Sequence, residues 1–183
     1  MSTAAETTPY EQLQYPIGRF QKPQSTAAEQ RTVWIEDLDR LPAQLRAATA
    51  NLSEQQLDTP YRSGGWTVRQ LIHHIADSHI NSYVRFRLAL SEQMPVIKPY
   101  DEKAWAELSD ARTAPIGISL SILENVHARL VTLLRSMTDE DFMRKYRHPE
   151  MGESSLGAVL ALYAWHSRHH LAHIQNLKQR SGW

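Results

Sequence analysis

The chain contains no cysteine among its 183 residues. That absence removes disulfides, thiolate zinc sites and cysteine nucleophiles together, so any metal must be held by imidazole or oxygen. An excess of charge of one sign is also lacking, because Lys and Arg number 20 and Asp and Glu number 20. No global field therefore recruits nucleic acid or an anionic membrane. No apolar run approaches the roughly 20 residues that span a bilayer. The opening MSTAAETTPYEQLQ lacks the basic and apolar regions of a signal peptide. A cytoplasmic location is expected. What the chain does have is histidine: nine in all, four of them within the eight residues from His166 to His173.

A chain of this length can close a single core. Residues 1–25 carry Pro9, Pro16, Gly18 and Pro23 among Ser and Thr without sustained periodicity. They read as an arm laid over the surface, with no helix, ahead of one domain at 26–183. From Thr26 the residues Trp34, Leu38, Leu41, Leu45, Ala48 and Leu52 recur in steps of four and three, which predicts a helix with one buried stripe, kinked at Pro42. Ser53 with Gln56 forms a capping-box pattern for a short turn, and Thr67 with Gln70 repeats it at the start of a second helix. That helix runs through Leu71, Ile75, His79, Ser82, Phe86 and Leu90 to about Glu92.

Residues Met94 to Gly117 contain Pro95, Pro99, Pro115 and Gly117 and read as a long crossover, within which DEKAWAEL can form a short helix. A crossover of this length can join parallel neighbours. A third helix is expected from Ser119 through Leu123, His127, Leu130 and Leu134, and a fourth from about Ser154 to Gln179, after a turn-rich link holding His148, Pro149 and Gly152. Four amphipathic helices, no alternating segments and one long crossover between the second and third helices predict an all-α four-helix bundle.

His166 and His170 stand one helical turn apart and continue the apolar stripe of the fourth helix, so both imidazoles face the interior, where metal coordination is one way to satisfy them. His169 and His173 repeat the spacing on the flank of that stripe. A third ligand can come from HHIADSH in the second helix. At about 100° per residue, His79 is nearest the centre of the apolar face. His74 sits at its edge beside Ser78, Asn81 and Arg85, and His73 lies well round the helix. A core histidine satisfied by hydrogen bonds is the bland alternative for His79 and for His127. His148 reads as a surface residue in a turn.

The strings YPIGRF, LDTPYRSGGWTVRQLIHHIADSHINSYVRF, PYDEKAWAEL and LYAWHSRHHLAHI resemble the YfiT branch of the DinB-like superfamily, and the resemblance runs from Tyr15 to Trp183. It implies a four-helix bundle, typically a homodimer, with three histidines holding a divalent metal between the second and fourth helices. By that resemblance the ligands are His74, the second of the HH pair, with His166 and His170. The implied activity is metal-dependent hydrolysis of a small molecule.

Three neutral imidazoles leave an ion an open position for water, whose pKa zinc can lower to about 7. Zn2+ is the expected ion, with Ni2+ as an alternative. Hydrolysis fits that chemistry. The same position can accept the sulfur of a low-molecular-weight thiol, as in related transferases, or the metal can act only as a structural staple. Asp77 can orient an imidazole or act as a base, although an Asp on a helix is most often solvated. Arg85 and Asn81 can bind an anionic group or form structural pairs. Tyr100, Asp101, Glu102 and Trp105 occupy the crossover string shared with the family, where a lid over the bundle mouth is plausible and either carboxylate is a candidate acid or base.

Overall fold

The computed structural model describes residues 9–183. Four long helices make the bundle: α2 (Ala28–Thr49), α4 (Val68–Ser91), α7 (Ile116–Ser136) and α9 (Leu156–Ser181). Short helices decorate the connections: α1 (Pro9–Gln14), α3 (Glu54–Leu57), α5 (Glu102–Ala106), α6 (Ser109–Thr113) and α8 (Asp139–Met143). Both capping boxes form as the sequence predicts, Ser53 with Gln56 on α3 and Thr67 with Gln70 on α4, so each helix start satisfies two of its free N–H groups.

Each of α2 and α4 packs on both α7 and α9. Residue pairings set the directions. His73 meets Ser119 and His79 meets His127, so α4 and α7 run parallel, joined by the long crossover. Asp37 pairs with Arg168, and Lys178 bonds the Ala48 carbonyl, so α2 and α9 are also parallel. Across the other two contacts the order reverses: Ser78 meets Tyr163 and His74 meets His170, while Asp39 meets Arg135 and Arg46 meets Glu124. Buried Arg69 ties the end of the crossover to α4, bonding the Ala114 carbonyl together with Asp58 and Glu54.

Four expectations about the elements need correction. Residues 1–8 of the arm lie outside the described residues; residues 9–25 contain a helix, α1, and run over the surface, where Trp165 Nε1 bonds the Gly18 carbonyl at 3.2 Å. The third helix begins at Ile116, three residues before Ser119, with Pro115 preset for the position before it. The crossover holds α6 in addition to the α5 turn legible in DEKAWAEL, and α8 follows α7. The link before α9 is a hairpin, with β1 (Lys145–His148) antiparallel to β2 (Gly152–Ser155) in the register Lys145↔Ser155 to His148↔Gly152. Its strands are too short to show a period against the surrounding turn residues, but Tyr146 and His148 alternate inward as a strand requires. The crossover stitches onto it through Ile97 N to Arg147 O and Arg147 N to Pro95 O.

The core is divided. One apolar cluster gathers Leu38, Phe86, Leu130, Leu134, Leu156 and Leu160; the other gathers Leu45, Leu71, Ile75, Leu123, Ile174 and Leu177. On α4, α7 and α9 the positions between the two clusters are His79, His127 and the run from His166 to His170. A layer of imidazoles thus crosses the bundle where apolar side chains would ordinarily continue. Among the described residues no helix is long and apolar enough to cross a membrane.

Candidate metal centre

His74 projects from α4, and His166 and His170 from α9, with ligand nitrogens all within 4.8 Å of one another. His166 Nε2 is the hub, 3.3 Å from His74 Nε2 and 3.1 Å from His170 Nε2. Nitrogens 2.0–2.1 Å from one ion stand about 3.3 Å apart in tetrahedral geometry and about 3.0 Å apart at right angles. Both spacings to His166 fall within this range and the remaining pair lies within 4.8 Å, so the donor set can hold a metal without selecting zinc over nickel. Desolvation pushes all three imidazoles toward the neutral form, His74 down to about 4 and His166 and His170 well below the ordinary value, with neighbouring imidazoles adding to the effect. Neutral rings offer lone pairs, as ligation requires.

His169 and His173, on the flank of the stripe, are buried. With His170 they form a second group of three, and their Nε2 atoms are 3.1 Å apart. Aromatic rings cover this group: Trp165 stacks on His169 with centroids 4.5 Å apart, and Tyr61 lies 4.1 Å from His173. The Nδ1 atoms of His169 and His170 are buried without a hydrogen-bond partner. His73 is fully used elsewhere, with Nε2–H donating to the Ala114 carbonyl at 3.1 Å and Nδ1 taking the Ser119 hydroxyl at 2.7 Å. It has no lone pair left for a metal.

His79, which helical angle favours as the third ligand, and His127, whose bland reading is a core histidine, connect to the first group. His79 Nε2 lies 3.2 Å from His166 Nδ1, and His79 Nδ1 lies 2.8 Å from His127 Nε2. Their spacing alone could not reveal this, because it depends on which helices are neighbours.

A cavity of about 700 Å³ opens beside His166 and is lined also by Arg85, Tyr100, Glu102, Lys103, His148 and Tyr163. His148 is buried, which corrects its reading as a surface residue. The hairpin turns it inward, and the backbone N–H groups of Glu150 and Met151 both donate to its Nδ1. Arg85 reaches the Tyr163 hydroxyl at 3.4 Å, and that hydroxyl donates to the Ser78 carbonyl at 3.2 Å. Asn81 donates to the Asp77 carbonyl one turn back in its own helix. Asp101 caps α5, accepting from the N–H groups of Lys103 and Ala104, and Trp105 packs on Tyr100 at 4.5 Å. Lys103, His148 and Tyr163 join the cavity without any signal in sequence spacing.

Asp77 is half-buried and is not among the residues lining the cavity. Burial, helped by the charge of Asp110, lifts its carboxyl from 3.8 to about 6. The folded state therefore holds this proton more tightly than the unfolded chain, and the associated stability is full below pH 3.8 and lost as pH rises through 6. Asp77→Asn should be more stable than the parent at pH 8 by about 1 kcal/mol, reduced from the full linkage value because one side of the group meets solvent. The advantage should vanish toward pH 4. Urea unfolding at the two pH values measures it, and an equal difference at both would reject the assignment.

The fold is a four-helix bundle crossed by a layer of imidazoles that meets a cavity at His166. The chain belongs to the DinB superfamily, whose model matches residues 37–174. It is 51% identical over 172 residues to YfiT of Bacillus subtilis (strain 168), covering 93% of this chain and 97% of that one; the relative is provisionally named a metal-dependent hydrolase. A Bacillus cereus (strain 03BB102) relative with the same provisional name is 51% identical over 171 residues, covering 93% and 98% of the two chains. The solved structure of YfiT from Bacillus subtilis, described as a probable metal-dependent hydrolase with an unusual four-helix bundle topology, superposes with a TM-score of 0.92 at 50% identity, covering 94% of this chain and 99% of that one. TT2238, a four-helix bundle protein, superposes at 0.57 and 19% identity over 80% of this chain and 98% of its own, a likeness of fold alone.

Proposed function

We propose that His74, His166 and His170 hold a divalent metal, Zn2+ or on the same donors Ni2+, and that the protein is a metal-dependent hydrolase of a small molecule bound in the adjoining cavity. The observation that carries this reading is the convergence of three neutral imidazoles, buried His74 and His170 and half-buried His166, with His166 Nε2 3.3 and 3.1 Å from the other two Nε2 atoms and His166 itself lining that cavity. The names given to the Bacillus relatives support the reaction class. Preference for this group over His169, His170 and His173 rests on access, since His166 lines the cavity while aromatic rings cover the second group.

A divalent ion on three imidazoles, when bound, acidifies water toward neutral pH and polarises a carbonyl. The rest of the chemistry belongs to the chain. Arg85, held by Tyr163, and Lys103 supply positive charge that orients an anionic group of the substrate. Asp101 and Glu102 both line the cavity; Asp101 Oδ1 caps α5, which leaves Glu102 as the carboxylate with neither oxygen tied to a helix cap and the better placed to accept a proton.

One observation favours a second reading. The cavity has room and cationic groups for the body of a low-molecular-weight thiol whose sulfur would reach the metal, which is the arrangement a thiol-dependent transferase needs. Cobalt substitution separates the two. Turnover of ester or amide substrates, lost in His170→Ala, with no sulfur-to-cobalt charge-transfer band on adding glutathione-, mycothiol- or bacillithiol-like thiols, is the expected result. A band that saturates at low thiol concentration would favour the transferase. If neither appears and chelation only lowers the melting temperature, the metal is a structural staple.

A further inference from the structure

Pro42 lies inside α2, four residues after Leu38. In a regular helix the N–H of residue 42 would bond the Leu38 carbonyl, but proline has none. The carbonyl left open is taken from outside the helix by His127 of α7, whose Nδ1 stands 2.6 Å from the oxygen. A carbonyl can only accept, so His127 Nδ1 carries the hydrogen.

The consequence propagates through two more rings. His127 is 2% exposed and, with its pKa lowered by burial, is neutral, so its Nε2 has a lone pair and must accept. His79 Nδ1 is the donor, at 2.8 Å. His79 is 0% exposed and already carries a hydrogen on Nδ1; a second on Nε2 would bury an unpaired charge, so its Nε2 is the acceptor for His166 Nδ1–H at 3.2 Å. A neutral His166 with hydrogen on Nδ1 has its lone pair on Nε2, the atom that faces His74 and His170. The opposite polarity would set a lone pair of His127 against the carbonyl oxygen at 2.6 Å, which is repulsive.

We infer that Pro42, Leu38, His127 and His79 form a positioning relay that locks His166 in the tautomer a metal requires. An open backbone carbonyl at one end of a chain of imidazoles thus determines where a lone pair sits at the other, across all four long helices. The relay explains why two buried histidines interrupt an apolar core and why a buried proline is placed inside a helix. It rests on the three-imidazole reading for its purpose, but the tautomers it fixes are observable without metal.

The test uses the full chain, labelled with 15N, and a long-range proton–nitrogen correlation spectrum of the metal-free protein. The expected pattern is Nδ1–H for His127, His79 and His166. Zinc affinity is then read by chelator competition. His127→Leu removes the acceptor of the His79 hydrogen and should weaken zinc binding by about 10–100-fold, with His166 populating the Nε2–H form. His127→Gln keeps a donor for Leu38 and an acceptor for His79 and should restore affinity to within a few-fold. A metal-free spectrum showing His166 protonated on Nε2, or a folded His127→Leu protein that binds zinc as tightly as the parent, overturns the relay. If His127→Leu fails to fold, the parent spectrum decides. Absence of zinc binding by the parent would refute the metal reading, an outcome distinct from the tautomer pattern.

Discussion

Replacing His166 with alanine is expected to reduce bound metal from about one ion per chain to a small residual fraction, and to abolish any metal-dependent turnover. No other histidine occupies so central a place, since its Nε2 neighbours those of both His74 and His170 and its Nδ1 is tied to His79. The substitution leaves two imidazoles on opposite helices and an unpartnered His79 Nε2 in the core. Two ligands rarely retain a divalent ion against water, so elemental analysis after dialysis, on protein purified without a nickel column, should show the loss directly. Circular dichroism should remain helical, because the apolar clusters on either side of the layer are intact. Full retention of metal by His166→Ala would move the site to His169, His170 and His173.

The second large effect is on stability. Phe86 is 0% exposed in the cluster that holds Leu38, Leu130 and Leu160, and it is among the largest fully buried side chains. Phe86→Ala should cost about 3–5 kcal/mol from lost burial plus the cavity left behind. In a chain of this size that lowers the melting temperature by about 10 °C. Metal stoichiometry should be unchanged below the new transition, because His166 and His170 lie between the two clusters and His74 stands beside Ile72 and Ile75 of the cluster that does not hold Phe86. A loss of metal in folded Phe86→Ala would show that the imidazole layer and this cluster are mechanically coupled.

Some of the architecture was legible from local rules. The stripes of α2, α4, α7 and α9, the capping boxes at Ser53 and Thr67 and the short helix in DEKAWAEL depend on residues three or four positions apart, and those distances are set by helical geometry itself. The hairpin at Lys145–His148 and Gly152–Ser155 was not legible, because a four-residue strand is stabilised by its partner and by the crossover rather than by its own pattern. The same reason hid His148, whose burial follows from that pairing.

The site divides in the same way. The i, i+4 spacing of His166 and His170 puts both on one helical face, and the sequence alone determined that much. Helical angle preferred His79 as the third partner and family resemblance preferred His74. Tertiary packing gives the two residues different work, with His74 Nε2 meeting His166 Nε2 and His79 Nε2 meeting His166 Nδ1. An angular count finds which side of a helix a ring leaves from but not which atom of a ring on another helix it will meet. Pro42 illustrates the limit most clearly. The sequence determines that the Leu38 carbonyl loses its helical partner, since proline has no N–H to offer. Only the packing of α7 against α2 decided that the open oxygen would be taken by an imidazole, because that choice depends on distance between chain segments 89 residues apart.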